Sequence, residues 1–98
     1  MYELRGEDVL LFLGQETVVN TKDIVGVFDL DSASVSAITK GYLKAAQRSG
    51  RIVDVAPGEL PKSFVVCQKD SSILVYLCQM APATLKRRAY EGGKQVWR

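Results

Sequence analysis

The sequence predicts an α+β fold: small antiparallel sheets built from hairpins, with one central helix and one C-terminal helix. Three observations carry this. Short β-rich apolar runs come in pairs, on either side of Gly14-Gln15 and of Lys69-Asp70-Ser71-Ser72, the spacing expected of hairpins. Between the pairs, Val35, Ile38, Tyr42 and Ala45-Ala46 recur at helical spacing. Near the C-terminus, Pro82 stands where a first helical turn tolerates a missing N–H.

In order, Val9 to Leu13 is a first strand and Glu16 to Asn20 its return, with Gly14-Gln15 as the turn. Thr21-Lys22-Asp23 break the pattern. Ile24 to Phe28 is a third strand, in which Gly26 marks a bulge or a close backbone approach. Ser32 or Ser34 is placed to cap the central helix, and Asp29 and Asp31 lie near the positive end of its dipole. Lys40, Lys44 and Arg48 repeat every four residues on another face of that helix, and Gly50 suits the left-handed residue that ends it. Arg51 to Val55 is a fourth strand. Ala56 to Pro61 is a loop, rigid at both prolines and free at Gly58. Ser63 to Gln68 and Ile73 to Gln79 form the second hairpin. The last helix starts at Pro82 and is expected to end at Gly92-Gly93, leaving residues 94–98, with Trp97, as a tail. The order βββ-α-β-ββ-α places the chain in the α+β class. Its 98 residues fit one domain spanning 1–98, with a core over about 8–91 and a tail over 92–98.

The composition, 47% hydrophobic and 24% charged, is that of a globular domain. The net charge of +2 conceals an asymmetry. Residues 1–39 hold two cations against seven acids, a net of −5; residues 40–98 hold eleven cations against four acids, a net of +7. Such a split suits a polyanion-binding face or head-to-tail contact between unlike patches. Cys67 and Cys78 lack zinc-site spacing and sit in apolar runs, as buried free thiols do. No apolar stretch reaches the roughly 18 residues of a membrane span. Glu3, Arg5, Glu7 and Asp8 interrupt anything resembling a signal peptide, so a cytoplasmic protein is expected.

An enzyme is not expected. The chain has no histidine, the commonest general base near neutral pH, and no phosphate-binding loop, dinucleotide fingerprint or nucleophile elbow. Asp29 and Asp31 have metal-ligand spacing, but in front of a helix they read as dipole partners. No catalytic residue, metal, cofactor or small-molecule ligand is expected. The basic residues are the stronger lead. Lys86-Arg87-Arg88 spread over well over half of a helical turn, Lys62 follows a Pro-bounded loop, and Lys22 lies between two strands. Lysine positions a nucleic-acid backbone more than it reads bases, so low base selectivity is expected.

Several segments resemble the RemA/RemB family of bacterial extracellular matrix regulators. They are Phe12-Leu13-Gly14 through Thr21-Lys22-Asp23-Ile24-Val25-Gly26-Val27-Phe28-Asp29, then Pro61-Lys62-Ser63 with Phe64-Val65-Val66, and Thr84-Leu85-Lys86-Arg87-Arg88-Ala89. The likeness spans roughly residues 10 to 91 and rests on the order and spacing of these motifs. It implies a small cytoplasmic bacterial protein, an oligomer and in some members a ring, that binds double-stranded DNA and regulates transcription of matrix and biofilm genes. It implies DNA-binding roles for Lys22 and Lys62; Lys86, Arg87 and Arg88 are DNA-binding candidates on their charge alone, three consecutive cations that suit phosphates and equally suit the dipole at a helix C-terminus. In the RemA branch two arginines precede the position of Lys62; here Glu59 and Leu60 stand there, which removes two cations and adds an anion. The alternative function is an oligomerising scaffold or regulatory partner that does not bind nucleic acid.

Overall fold

The computed structural model describes residues 10–14, 16–30 and 36–96. Its elements follow the expected order: β1 Leu10–Phe12, β2 Val18–Asn20, β3 Ile24–Asp29, α1 Ala37–Arg48, β4 Ile52–Asp54, β5 Ser63–Lys69, β6 Ser72–Cys78 and α2 Pro82–Val96. A single 3-10 turn, Thr21–Asp23, joins β2 to β3.

β1 and β2 pair antiparallel as a separate two-stranded sheet. The remaining strands form a four-stranded sheet in the order β3-β5-β6-β4. Here the expectation of purely antiparallel sheets is corrected, because β4 runs parallel to β6. α1 connects β3 at one edge to β4 at the other. A helix that carries the chain back along the sheet lets the next strand run in the same direction as the first. Local sequence shows a strand at 52–54 but not which strand it joins.

Both faces of this sheet are covered, so β5 is buried at five successive positions, Ser63 to Cys67. A strand buried on both sides loses the alternation of a half-exposed one. On one face Phe64, Val66 and Val75 pack with Ala46 of α1, flanked by Leu30, Leu43, Ile52, Ile73 and Leu77. On the other, Val65, Cys67 and Cys78 pack with Leu11, Leu13 and Val19 of the hairpin and Leu85 of α2. Each such aliphatic side chain contributes roughly 1.5–3 kcal/mol on burial. Two hydrogen bonds pin the second layer to the sheet: the Cys78 thiol donates to the Leu13 carbonyl at 3.2 Å, and the buried Ser63 hydroxyl to the Met80 carbonyl at 2.7 Å.

Several local expectations hold. The β3–β5 register shifts between Ile24 and Gly26, the mark of a bulge. Gly50 follows α1 with φ +70°. Cys67 and Cys78 are buried free thiols. Others are corrected. Ser36 caps α1, its hydroxyl oxygen accepting the Thr39 N–H at 3.1 Å; Ser32 and Ser34 lie outside the described residues. Ile38 and Tyr42, expected on the buried stripe, are 85% and 40% exposed. Ala46 is buried as expected, but it meets the sheet together with Leu43, about 100° round the helix from Tyr42. α2 does not stop at Gly92-Gly93 but continues to Val96. Glycine in a helix costs only about 1 kcal/mol relative to alanine, so two of them weaken a helix without obliging it to end. Trp97 falls outside the described residues.

Candidate nucleic-acid interface

The strand directions place the five expected cations. β3 starts, and β5 ends, at one end of the sheet, where Ile24 faces Cys67; Asp29 and Ser63 mark the other end. Lys22 sits at the first end, exposed on the 3-10 turn. Its own N–H donates to the Asn20 side-chain carbonyl at 3.1 Å, which fixes the turn from which the ammonium projects. Lys62 sits at the other end. Its backbone is clamped on both sides, the N–H donating to the Cys78 carbonyl and the carbonyl accepting the Leu30 N–H, both at 2.8 Å, while the side chain is exposed. The seven-residue strand between them is about 20 Å long. Within one chain Lys22 and Lys62 therefore do not converge.

Lys86, Arg87 and Arg88 are all exposed on α2. Leu85 and Ala89 turn towards the core. Steps of about 100° per residue then put Arg87 on the outer side of the helix, with Lys86 and Arg88 on opposite flanks. Arg88 lines a groove of about 750 Å³ together with Glu16 and Glu59. Two carboxylates share its surroundings, so it is the least available of the three for an external anion.

The structure adds cations that the motifs alone did not single out. Lys40 and Lys44 line a groove of about 350 Å³ with Leu30 and with Pro61, the residue before Lys62. Their four-residue spacing was a visible signal of a shared helix face; that this face borders the Lys62 loop was not. Asp29, opposite Ser63 in the register, is a carboxylate at the same end. Lys69, the last residue of β5, lies with Asp23 in a smaller cleft at the Lys22 end. Only the strand register brings it there. Lys40 and Lys44 thus border the segment that leads into Lys62, and Lys69 shares the other end of the sheet with Lys22.

The smaller cleft also holds Cys67 and Tyr76. Burial, and secondarily the charge of Asp23, pushes the Cys67 thiol up from its ordinary 9.0 to about 11. Burial, then Cys67 and Asp23, raises the Tyr76 hydroxyl as well. At neutral pH the thiol is protonated and a poor nucleophile. Because folding raises this pKa, its contribution to stability is complete below about pH 9 and is lost as the pH climbs towards 11. Up to about 3 kcal/mol is at stake. Urea midpoints measured between pH 8 and 11 are expected to fall, and to fall less in Cys67→Ala, with Tyr76 supplying the remaining slope. An identical decline in both proteins would contradict the assignment to Cys67.

No helix among the described residues is long and apolar enough to cross a membrane. A family model described as RemA-like, Extracellular matrix regulatory protein A-like, matches residues 10–89. Extracellular matrix regulatory protein B of Bacillus subtilis (strain 168) is 37% identical over 79 residues, covering 81% of this chain and 88% of that protein. Lys22, Lys40, Lys44, Lys62, Lys69 and the α2 cations all fall inside the span that the family model matches.

Proposed function

The chain belongs to the RemA-like family of extracellular matrix regulatory proteins, and from that premise we propose that it is an oligomeric, cytoplasmic DNA-binding regulator of transcription. It binds rather than catalyses, and its target is the phosphate backbone of double-stranded DNA in genes that serve matrix and biofilm formation. The observation that carries this reading is that Lys40 and Lys44 line one groove with Pro61, the residue before the exposed Lys62. Lysines held by a helix and a clamped strand start present ammonium groups to phosphates without ordering a loop first. Their chemistry neutralises phosphate and displaces counterions, so affinity falls steeply with salt. The scarcity of arginine in this set favours positioning over base readout. Since Lys22 and Lys62 stand about 20 Å apart along one chain, a continuous DNA-binding surface requires several copies to set their clusters side by side.

In an electrophoretic retardation experiment, micromolar protein is expected to shift a DNA duplex at low salt and to release it as salt rises. Lys22→Ala and Lys62→Ala are each expected to weaken binding on all sequences and to lower the salt slope by about one. An unshifted duplex at low salt would overturn DNA binding. It would favour the second reading, an oligomerising scaffold that does not bind nucleic acid, for which the exposed Leu60 beside Glu59 speaks at the loop.

A further inference from the structure

Four segments far apart in the sequence meet at the groove of about 750 Å³ that Arg88 lines: the turn of the β1–β2 hairpin, the loop after β4, the end of β6 and the middle of α2. Its volume is that of a small-molecule site. The backbone, not the side chains that face the groove, ties its walls together. The Leu13 N–H donates to the Thr17 carbonyl at 2.9 Å and closes the hairpin turn. The Val55 N–H donates to the Leu77 carbonyl at 3.0 Å and extends β4 along β6. In the loop, the Glu59 N–H donates to the Ala56 carbonyl at 3.1 Å, and the Ala56 N–H to the Asp54 carboxylate at 3.2 Å. A Cβ on Gly14 would collide with the Val55 side chain, so the bare glycine lets turn and loop close on each other. The groove is therefore built before any ligand arrives, as small-molecule sites mostly are.

Its charged groups converge from separate elements. Glu16 comes from the hairpin, Glu59 from the loop and Arg88 from the helix. Among the described residues no ion pair joins Arg88 to either acid. Thr17 and Gln79 add uncharged hydrogen-bonding groups, and Val55 and Met80 an apolar wall. No motif announces this set, because only the tertiary structure brings its members together.

One guanidinium against two carboxylates gives the lining a net charge of 1 − 2 = −1. A free anion entering the groove meets two carboxylates, and a free polyamine meets the guanidinium; each is disfavoured by the groups it cannot satisfy. A molecule that carries both signs, with one cation more than anions, satisfies all three. We propose that this groove is a binding site for a small dibasic zwitterion, an amino acid whose carboxylate takes Arg88 and whose two cationic groups take Glu16 and Glu59. A carboxylate matches the guanidinium fork with two parallel hydrogen bonds. The apolar wall faces the aliphatic stem between the charges. All three charged side chains are exposed, so each contact is modest and affinity lies in the millimolar range. The site stands apart from the DNA reading, since none of its charged groups is one of the lysines assigned to phosphates.

Titration of the full chain, labelled with 15N, by L-arginine in two-dimensional NMR tests both affinity and place. The amides of Gly14, Val55 and Met80 are expected to shift and to saturate together. Agmatine, which lacks the carboxylate, and inorganic phosphate, which lacks the cations, are expected to bind roughly three- to fivefold more weakly. Arg88→Gln is expected to weaken L-arginine by a similar factor without weakening agmatine. Glu59→Gln and Glu16→Gln are expected to weaken both. The spectrum away from the groove reports whether each variant keeps its fold, and any one of the three variants that does so suffices for the test. Unshifted amides at millimolar L-arginine would overturn the site, and so would shifts scattered over surface acids outside the groove. Equal binding of agmatine and L-arginine would overturn the role of Arg88 and with it the zwitterion.

Discussion

The triple variant Lys40→Ala, Lys44→Ala, Lys62→Ala is expected to bind a DNA duplex roughly a hundredfold more weakly than the wild type at low salt. Removing one phosphate-neutralising cation lowers the slope of log affinity against log salt by about 0.9, so three together lower it by about 2.7. The slope is the more telling readout, because misfolding would abolish binding without giving a smaller, well-defined slope. All three side chains are exposed, and surface substitutions of this kind change stability by less than about 0.5 kcal/mol. Titrations by fluorescence anisotropy at three or four salt concentrations would supply both quantities. The loss is expected on unrelated sequences alike, since these ammonium groups address phosphates and not base edges. An unchanged slope would mean that the cluster around the Lys62 end is solvated surface, and would move the DNA contact to Lys22 and Lys69 or to α2. Arg87→Ala, on the outer side of α2, then becomes the informative comparison. Arg88→Ala is a poorer one, because Glu16 and Glu59 line the same groove.

Leu85→Ala is expected to have the largest effect on stability, about 3 kcal/mol. Leu85 is fully buried and is the side chain by which α2 enters the core beside Val65, Cys67 and Cys78. Removing it leaves a cavity between helix and sheet that Leu11 and Leu13, themselves held in the hairpin, are poorly placed to fill. Domains of this size are stable by roughly 5–15 kcal/mol, so the loss is a large share of the total. A fall in melting temperature of about 12–24 °C follows at this chain length. Calorimetry and urea unfolding measure it, with Leu60→Ala as the control: Leu60 is 87% exposed, and its truncation is expected to cost less than about 0.5 kcal/mol. A midpoint for Leu85→Ala close to the wild type would show that α2 is not anchored through this residue. The consequence reaches function as well, because Lys86, Arg87 and Arg88 are oriented only while Leu85 and Ala89 hold their side of the helix inward.

Much of the fold was legible because it is written in short-range chemistry. Paired apolar runs gave the hairpins, and the turn at Asp70-Ser71 fell inside the predicted Lys69 to Ser72. Gly50 and Gly26 announced a helix end and a bulge, since both are positions where a side chain is awkward. α1 shows where such reading stops. Val35, Ile38, Tyr42 and Ala45-Ala46 do recur at helical spacing, but a helix of apolar and small residues offers more than one possible buried stripe. The sheet beneath kept Ala46 of that set, added Leu43 and left Ile38 outside. The candidate site followed the same division. Lys22 and Lys62 were identifiable as loop cations from local context alone. That they stand at opposite ends of one sheet, with Lys40 and Lys44 joining the second and Lys69 the first, depends on strand direction and register.

By itself, then, the sequence determined the order and type of nearly every element, the buried thiols, the charge split and the family to which the chain belongs. These rest on local propensity, period and motif spacing, which neighbouring residues impose on one another. Only the tertiary structure decided that β4 joins β6 in parallel, that Lys22 and Lys62 stand at opposite ends of one sheet, and that Phe28 and Ile38 open an apolar cleft. Those outcomes depend on contacts between residues far apart in the chain. Pairing free energies among strands of similar composition differ too little locally to dictate them, and the choice falls to whichever packing buries both faces of the sheet at once.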